Sequence, residues 1–434
     1  MTICVVGLGK IGLPLAVQYA SKGKQVYGLD INEKTIEKIN RAEVPFPGEK
    51  ELSNRLMEVV NFGNLKATND YKIAVSNSSV IVVVVPLVVG RDNNPDFTNF
   101  DKVVELIGKH VRPGTLICFE TTLPVGTTRK RFCPIIEDNS ELEIGKELHV
   151  VFSPERVSSG NIFEDLRKYP KIVGGVTKKC GDIAKKFYEE ILDFDERNDL
   201  KTKNGVWLMK TPEDAEMTKL AETTYRDVNI ALANQFYIFC ERNKIDFYAI
   251  VEAANSQSFS NIHMPGISVG GHCIPVYPYF YLKNDIHASI VQEARKLNEE
   301  MPRFSISLIK ENLGSLKNKN VVIEGISYRS KVKEVYGSGI WDLIPLLEEE
   351  EATVFVHDSK YSDKEIKELN LGDYVYKGQR IDLIIIHTYE TGTISFIKNI
   401  SNSETKIFDG RNYLANVDIE ENASIFGFTK MRES

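Results

Sequence analysis

The chain has 434 residues, of which 42% are hydrophobic and 26% are charged, a balance typical of globular proteins. Its formal net charge is −7 and no basic cluster stands out, so we expect neither a nucleic-acid partner nor an anionic-membrane partner. No apolar run approaches the ~20 residues that span a bilayer, and the apolar start, interrupted by glycine, predicts a buried strand rather than a signal peptide. The six cysteines lack disulfide or metal-site spacing, which favours a cytoplasmic protein with reduced thiols and no metal.

The first thirty residues predict a dinucleotide site. A short strand, Thr2–Val6, leads into a G-x-G-x-x-G turn and a helical pattern, and a second strand then ends at an aspartate. Glycines in such a turn bring backbone N–H groups and a helix N-terminus up to a pyrophosphate. The acid accepts hydrogen bonds from the adenine ribose, which favours NAD over NADP. The predicted NAD contacts are Gly7, Gly9, Lys10, Ile11, Gly12 and Asp30.

Polar residues follow two further predicted strands. Thr122 comes after the apolar run at residues 116–120, and Glu155 and Arg156 come after the run at 149–152. Ligands collect at the carboxyl ends of strands in open α/β sheets. Thr122 is therefore a candidate ligand of cofactor or water, although capping a helix is the commoner role of such a hydroxyl. Glu155 and Arg156 fit a functional site or a solvated surface pair equally well.

An unusually long helix is predicted over residues 212–243. A threonine directly precedes it as a cap, and its first turn contains a proline and two acids. Its length suggests a spine between two domains that also forms a dimer contact. Lys219, Thr223 and Arg226 share one face at i, i+4 and i+7. Such a charged face is usually solvated, and Glu222 with Arg226 also fits a simple i, i+4 ion pair.

Cys273 lies in the stretch Asn261–Tyr281, behind three glycines and ahead of two prolines. Glycines permit tight turns and close approach to a ligand, and prolines stiffen the backbone. A cysteine in such a shaped loop is a candidate nucleophile, because thiolate chemistry needs access and a fixed direction of attack. The alternative is a small apolar residue that fills a tight loop.

The last third of the chain predicts a second, smaller α/β sheet without the glycine turn. Its helix over residues 338–350 is expected to bury Trp341, and the preceding helix over 287–313 is expected to break or kink at Pro302. We predict an α/β fold with two Rossmann-like doubly wound domains joined by the long central helix. The predicted domains are an NAD-binding domain (1–205), a central helical dimerisation domain with the cysteine loop (206–313) and a C-terminal domain (314–434).

Several motifs, in order along nearly the whole chain, resemble the UDP-glucose/GDP-mannose 6-dehydrogenase family. They are GLGKIGLPLA, TTLPVGTT, SPERV, KLAETTYRDVNIALANQ, GGHCIPVYPYF, GISYR and FDGRN. The motif GGHCIPV looks like that of the branch that acts on UDP-N-acetylhexosamines. Within that branch, UDP-N-acetyl-D-mannosamine is the expected substrate. The resemblance implies oxidation of the sugar C6 alcohol to a uronate with two NAD⁺, in a homodimer or higher homo-oligomer whose C-terminal domain binds the UDP-sugar. UDP-GlcNAc or UDP-glucose is the alternative substrate.

The resemblance also assigns roles to residues. The family's nucleophile matches Cys273, and its catalytic lysine matches Lys219, whose charge would stabilise a developing alkoxide. Glu155 matches the glutamate that works with water in thioester hydrolysis, and Thr122 matches a threonine beside nicotinamide and water. The implied sugar-nucleotide contacts are Arg156, Val157, Lys219, Thr223, Arg226, Gly270, Tyr328, Arg329 and Arg411.

The sequence departs from the family's pattern near these motifs. Tyr277 stands where the family has an aspartate and Thr223 where it has an asparagine, which would alter the oxyanion environment. Gln257 and Phe259 replace a basic pair, and Tyr336 replaces an arginine near the cofactor. The departures predict a shifted substrate preference, and the alternative is a catalytically weakened regulator that binds sugar nucleotides.

Overall fold

A computed structural model describes residues 1–90, 93–415, 417 and 424–429. The chain forms two compact units. The N-terminal unit contains Met1–Glu222 and Tyr279–Asp285, and the C-terminal unit contains Thr223–Pro278 and Ile286–Ser434. The mixed α/β class with two parallel-type sheets agrees with the prediction. The division into three domains at residues 205 and 313 stays a prediction.

The N-terminal unit is built on an eight-stranded sheet in the order β8-β7-β6-β5-β4-β1-β2-β3. All neighbouring strands are parallel except β6 and β7, which are antiparallel. The central strands are apolar runs buried on both faces, as parallel sheets require. The strands are β1 (Thr2–Val6), β2 (Gln25–Leu29), β3 (Leu65–Thr68), β4 (Val80–Val83), β5 (Leu116–Phe119), β6 (His149–Phe152), β7 (Lys171–Gly175) and β8 (Val206–Met209).

Helices connect successive strands of this sheet and cover both of its faces. Several begin at side-chain caps: Asn32, Asp70 and Thr177 each accept hydrogen bonds from the first free backbone N–H groups. A short ribbon pairs Val88–Val89 with Pro95–Asp96. The helices are α1 (Gly12–Ser21), α2 (Glu33–Asn40), α3 (Leu52–Asn61), α4 (Tyr71–Ser76), α5 (Thr98–His110), a π-helical turn (Thr128–Phe132), α6 (Cys133–Ser140), α7 (Ile162–Lys168) and α8 (Lys178–Ile191).

Two helices are divided between the units: α9 (Pro212–Asn243), which changes unit after Glu222, and α11 (Tyr277–Asn284), which changes after Pro278. The 32-residue α9 confirms the predicted long helix. Thr211 and Asp214 fix its start reciprocally, because each side chain accepts a hydrogen bond from the other's backbone N–H, at 3.1 and 3.0 Å.

The C-terminal unit holds a five-stranded parallel sheet in the order β10-β9-β11-β12-β13. Its strands are β9 (Asn320–Glu324), β10 (Thr353–His357), β11 (Leu383–Ile386), β12 (Lys406–Asp409) and β13 (Ser424–Gly427). Its further helices are α10 (Phe247–Asn255), α12 (Ser289–Leu313), α13 (Ile340–Glu349), α14 (Asp363–Glu368), a 3₁₀ turn (Gly372–Tyr374) and α15 (Thr393–Ile400).

One local prediction for this unit is wrong. Trp341 is 42% exposed, and its indole donates to the Val335 carbonyl at 2.9 Å. Leu343 and Leu347 fill the buried face instead. Helix α12 continues through the buried Pro302, so of the two predicted outcomes the break does not occur and the kink stays a prediction. Within the described ranges, no helix is both long and apolar enough to cross a membrane.

Candidate active site

The glycine turn after β1 has the geometry that a dinucleotide requires. Gly7 has φ +93°, and a Cβ on Gly12 would lie 1.8 Å from the Gly7 carbonyl oxygen, so both positions need glycine for the backbone itself. A Cβ on Gly9 would meet nothing within 4 Å. The space over Gly9 is therefore open, as close approach of a pyrophosphate to the turn demands.

Asp30 follows β2 and lies beside this turn. One carboxylate oxygen accepts from the Leu8 backbone N–H at 2.8 Å and the other from the Asn32 N–H at 2.9 Å. The half-buried carboxylate is thus held in place while its remaining lone pairs stay available for ribose hydroxyls. Lys10 and Ile11, between the glycines, are also half-buried. The residues present fit NAD.

Thr122 lies buried in the loop after β5. Its neighbour Thr121 donates to the Val85 carbonyl at 2.7 Å. Further along the loop, the Gly126 N–H and the Thr128 N–H donate to Glu216 of α9 at 2.5 and 2.9 Å. Burial raises the pKa of Glu216 to about 7, against these hydrogen bonds. Glu216 therefore fixes the loop that carries Thr122.

Glu155 belongs to a buried charge cluster. Lys171 Nζ lies 2.9 Å from the Glu155 carboxylate and 3.0 Å from that of Glu120, and the Tyr188 hydroxyl donates to Glu120 at 2.5 Å. Lys219 Nζ donates to the Glu155 backbone carbonyl at 2.7 Å. The structure therefore brings together the predicted catalytic residues Lys219 and Glu155, and the interpretation of Glu155 as a solvated surface residue is wrong.

Arg156 is also held within the N-terminal unit. Its guanidinium forms an ion pair with Glu222 and donates to the Pro170 carbonyl at 3.1 Å. Glu222 thus forms its ion pair with Arg156. The alternative prediction, an i, i+4 ion pair between Glu222 and Arg226, is wrong. The next residue, Val157, is half-buried against the unit's apolar core. An ion-paired arginine beside the lysine of α9 is a suitable contact for a substrate's polar groups.

Within the C-terminal unit, two asparagines of α9 anchor the start of the cysteine stretch. The Asn229 amide donates to the Asn261 carbonyl at 2.8 Å and accepts from the His263 N–H at 3.0 Å. The Asn234 amide oxygen accepts from the Gly266 N–H at 3.0 Å. These hydrogen bonds replace the regular secondary structure that residues 261–276 lack.

Two glycine segments pack directly against each other next to Cys273. The Gly271 N–H donates to the Gly337 carbonyl at 2.9 Å, and a Cβ on Gly270 would lie 2.6 Å from the same oxygen. A Cβ on Gly271, whose φ is +102°, would lie 2.9 Å from the Tyr328 ring. The glycines therefore define the path of the chain into Cys273, and side chains at these positions would displace it.

Tyr328, Arg329 and Arg411 surround this loop. Arg411 donates to the Ser268 carbonyl, and the Arg329 guanidinium lies 5.8 Å from the Tyr328 ring centroid. Burial raises the pKa of Tyr328, aided by nearby Glu334 and Cys273 and opposed by Arg329. The structure therefore places Gly270, Tyr328 and Arg411 at the cysteine loop, with Arg329 beside Tyr328, and their roles in substrate binding stay a prediction.

The two predicted substrate residues on α9 within this unit differ in environment. Thr223 is buried, whereas Arg226 is exposed and lies near His263, whose pKa is lowered by burial and by that arginine. The shared helical face predicted for Thr223 and Arg226 therefore places only the arginine in contact with solvent.

Cys273 differs from the other five cysteines, all six of which lie in the described ranges. Cys273 is partly accessible, whereas the others are buried. Burial raises the pKa of the Cys4, Cys118, Cys133 and Cys240 thiols. Only Cys273 therefore combines access with a shaped loop. In the part of the chain that the structure describes, no group of three or more His, Cys, Asp or Glu side chains is placed to hold a metal ion.

Comparison with known proteins identifies this arrangement. The NAD-binding domain of the UDP-glucose/GDP-mannose dehydrogenase family matches residues 1–192, and the family's central domain matches residues 213–300. The UDP-N-acetyl-D-mannosamine dehydrogenase of Pyrococcus horikoshii is 34% identical over 82% of this chain and 83% of its own. The chain belongs to this family. It is an NAD-dependent nucleotide-sugar dehydrogenase.

Two further proteins support the assignment of this dehydrogenase. The UDP-N-acetyl-D-mannosamine dehydrogenase of Methanocaldococcus jannaschii is 34% identical over 95% of this chain and 92% of its own. A solved structure of UDP-D-ManNAc dehydrogenase from Pyrococcus horikoshii superposes with a TM-score of 0.85 at 30% identity, covering 98% of this chain and 99% of that one. The similarity thus spans the sheets of both units.

Some residues that shape the dehydrogenase's site were not predicted from its sequence. Glu120, Lys171 and Glu216 are buried charges, and Asn229 and Asn234 are helix residues that hold a loop. One signal was available: Glu120 directly follows, and Lys171 begins, an otherwise apolar strand, where an unpaired charge is costly. The asparagines gave no such signal, because polar residues on a helix are ordinary.

Proposed function

We propose that this dehydrogenase oxidises a UDP-N-acetylhexosamine, best UDP-N-acetyl-D-mannosamine, at C6 to the uronate through covalent intermediates on Cys273. The observation that carries the proposal is the accessibility of Cys273 in a glycine-shaped loop while the other five cysteines are buried. A thiol is unnecessary for oxidising an alcohol to an aldehyde. It becomes useful when the aldehyde is oxidised further, because a thiohemiacetal can lose a second hydride.

The chain's residues divide the chemistry between them. NAD, when bound, supplies the hydride acceptor for each of the two oxidations. The Lys219 ammonium stabilises negative charge that develops on the C6 oxygen. The Cys273 thiolate attacks the aldehyde carbon to form the thiohemiacetal, which becomes a thioester on the second oxidation. Water then attacks the thioester carbon while the Glu155 carboxylate takes the proton, and the C–S bond breaks to restore the thiolate.

Recognition of the sugar nucleotide is proposed to rest on planar cations and an aromatic ring. Arg411 and Arg329 match the negative charge of a diphosphate, and guanidinium groups bind phosphate oxygens bidentately. The Tyr328 ring offers a flat apolar surface beside them. Arg156, Val157 and Arg226 are proposed as further contacts of the sugar nucleotide.

The stoichiometry of NADH tests the proposal. The protein is incubated with excess NAD and limiting UDP-ManNAc, UDP-GlcNAc, UDP-glucose or GDP-mannose in parallel, and NADH and uronate are quantified. We expect two NADH per sugar and the highest kcat/KM with UDP-ManNAc. One NADH per sugar, with aldehyde as the product, would contradict the four-electron reaction, and a preference for another sugar would replace the proposed substrate.

A cysteine substitution tests the nucleophile. Cys273→Ser is expected to bind NAD normally and to lower uronate formation by about 1000-fold or more, because the serine hydroxyl is a far weaker nucleophile. Cys240→Ala, at a buried cysteine of the C-terminal unit, serves as the matched control and should retain near wild-type turnover. Undiminished uronate production by Cys273→Ser would exclude Cys273 as the nucleophile.

We also propose that the protein forms a homodimer through α9. Tyr225, Leu232, Phe236 and Phe239 are exposed along the part of α9 in the C-terminal unit, at spacings of a single helical stripe. A stripe of large apolar side chains marks an interaction surface. Sedimentation should give a dimer or a higher oligomer, and Phe239→Glu should shift the population toward monomer. A monomeric wild-type protein at micromolar concentration would contradict this.

A further inference from the structure

The buried charge cluster around Lys171 is more elaborate than the proposed chemistry requires. The Lys171 side chain is 5% exposed and that of Glu120 is fully buried, and both lie at the edge of the sheet where β5 and β6 end. Lys171 is the first residue of β7. Because β7 runs antiparallel to β6, this residue lies near the carboxyl ends of β5 and β6. Burying two charges is costly unless their geometry and partners compensate.

The hydrogen bonds of the cluster link Glu120 to Glu155 through one ammonium. Lys171 Nζ bridges the two carboxylates at 3.0 and 2.9 Å. The second oxygen of Glu120 accepts from the Tyr188 hydroxyl at 2.5 Å, and the second oxygen of Glu155 accepts from the Arg156 N–H at 2.8 Å. All four carboxylate oxygens therefore accept a hydrogen bond, and the two carboxyl groups share one cation.

The groups that face Glu120 come from every element packed around it. Burial and, to a smaller extent, Glu155 raise the pKa of the Glu120 carboxyl, whereas Lys171 of β7 lowers it. The net result is a pKa raised to about 7. Tyr19 of α1 and Tyr188 of α8 also face the cluster, and burial and Glu120 raise the pKa of both. Burial raises the pKa of the nearby Cys118 thiol as well, so these groups are neutral at ordinary pH.

Glu120 fixes the position from which Lys171 holds Glu155. The Lys171 ammonium sits on a flexible stem and donates to Glu120 at 3.0 Å and to Glu155 at 2.9 Å. Glu120 is held in turn by the Tyr188 hydroxyl at 2.5 Å. Removing the Glu120 carboxylate would leave Lys171 without its second anchor, and the Glu155 carboxylate would be held less firmly.

We propose that Glu120 is a positioning residue that acts through Lys171 to orient the Glu155 carboxylate for thioester hydrolysis. The inference rests on the proposed function. In the step concerned, a water oxygen bonds to the thioester carbon, its proton passes to Glu155, and the C–S electron pair returns to sulfur. Glu120 contacts neither substrate nor water in this step, and its effect reaches the reaction only through Lys171 and Glu155.

Glu120→Gln tests the inference because it removes the charge and keeps the size. The first two hydride transfers should proceed as in the wild type, giving a normal burst of two NADH per active site. Turnover should then fall by about 10- to 100-fold, because hydrolysis becomes limiting. Intact-protein mass spectrometry on the quenched reaction should show the sugar acyl group accumulating on the enzyme. A variant that loses burst and turnover equally, without acyl-enzyme, would overturn the proposal.

Conservative variants separate positioning from a purely structural role. Glu120→Asp keeps a carboxyl group for Lys171 and should restore part of the lost turnover and reduce the accumulated acyl-enzyme. Tyr188→Phe removes the hydroxyl from Glu120 but keeps the ring, which lies 4.9 Å from Lys171 Nζ, and should give a smaller change.

Controls distinguish this inference from the proposed function. If Glu120 only supports the fold, Glu120→Gln will lower the melting temperature and reduce the burst and kcat together, without accumulated acyl-enzyme, and the inference fails. If the wild type gives no burst and no acyl-enzyme can be trapped on Cys273 under any condition, the proposed covalent mechanism itself fails. Exposed Glu164→Gln, on α7 and away from the cluster, should match the wild type in burst and turnover.

Discussion

The two sheets of this protein share one local design and use it differently. In the N-terminal unit, β1 turns at Gly7 and the Leu8 N–H donates to Asp30 after β2, at 2.8 Å. In the C-terminal unit, β9 turns at Gly325 and the Ile326 N–H donates to Asp358 after β10, at 2.9 Å. Both glycines have positive φ, +93° and +87°. The same arrangement of strand, glycine turn and acid therefore occurs in both units.

The surroundings of the repeated turn are different. In the N-terminal unit, α1 begins at Gly12 and Asp30 stays half-exposed. In the C-terminal unit, α13 begins only at Ile340, and Asp358 is 1% exposed, although like Asp30 it accepts a hydrogen bond from the backbone N–H two residues later. The same backbone geometry therefore serves ligand binding where the acid is open and serves the fold where the acid is buried.

The largest expected effect distinguishes the two turns by their glycines. Gly12→Ala should weaken NAD binding by about 100-fold or more, because its methyl group would lie 1.8 Å from the Gly7 carbonyl and force the turn open. Gly325→Ala clashes comparably, 2.1 Å from Thr388 Oγ1, but should leave NAD affinity unchanged while lowering the melting temperature. Titration with NAD measures both, and equal loss of affinity in the two variants would contradict the comparison.

A smaller effect is expected from the two acids. Asp30→Asn should weaken NAD binding by about 10- to 100-fold, because hydrogen bonds from ribose hydroxyls to a charged acceptor are lost. Asp358→Asn should leave NAD binding intact and cost about 1–3 kcal/mol of unfolding free energy, since a buried carboxylate that accepts backbone N–H groups is replaced. Denaturant unfolding and NAD titration of both variants check the pair.

The smallest expected effect is an opposite pH dependence in the two units. The pKa of Glu216 is raised to about 7 from 4.5, so the folded state binds the proton more tightly and this group's contribution to stability falls as pH rises through that window. Burial lowers the pKa of His387 to about 3 from 6.5, so its contribution is lost as pH falls below 6.5.

Hydrogen exchange in the full chain can resolve these contributions locally. We expect peptides around Thr121–Thr128, which Glu216 holds, to be less protected at pH 8 than at pH 5 after correction for the intrinsic rate. Peptides around β11 and His387 should show the reverse, by about 1–2 kcal/mol. Glu216→Gln should flatten the first dependence only. The same sign in both units would contradict the assignment of these groups.

Local features were predictable from the sequence, and long-range ones were not. The turn at Gly7–Gly12 and the start of α9 follow from neighbouring residues, whose spacing alone determines the backbone. The cluster of Glu120, Lys171 and Tyr188 depends on the reversal of β7, and its partners lie 51 and 68 residues apart. No local pattern reports that reversal.

The errors have a similar physical origin. Trp341 was expected inside because it is large and apolar, yet its indole N–H found a carbonyl at the surface. A single proline predicts a break or a kink, and the buried face of α12 keeps that helix continuous through Pro302. The cysteine stretch was correctly predicted as shaped, but Asn229 and Asn234, which hold it, lie more than 25 residues before it.

The burial of five thiols has a consequence for oxidative damage. Peroxide attacks thiolates that solvent can reach, and Cys273 is the accessible cysteine among the six. Oxidation to a sulfenic acid there removes the nucleophile and leaves both cores unaltered, so an oxidised molecule remains folded. The other five thiols are buried and therefore poorly accessible to a sulfenic acid on Cys273, which favours a small thiol from solution as the reductant.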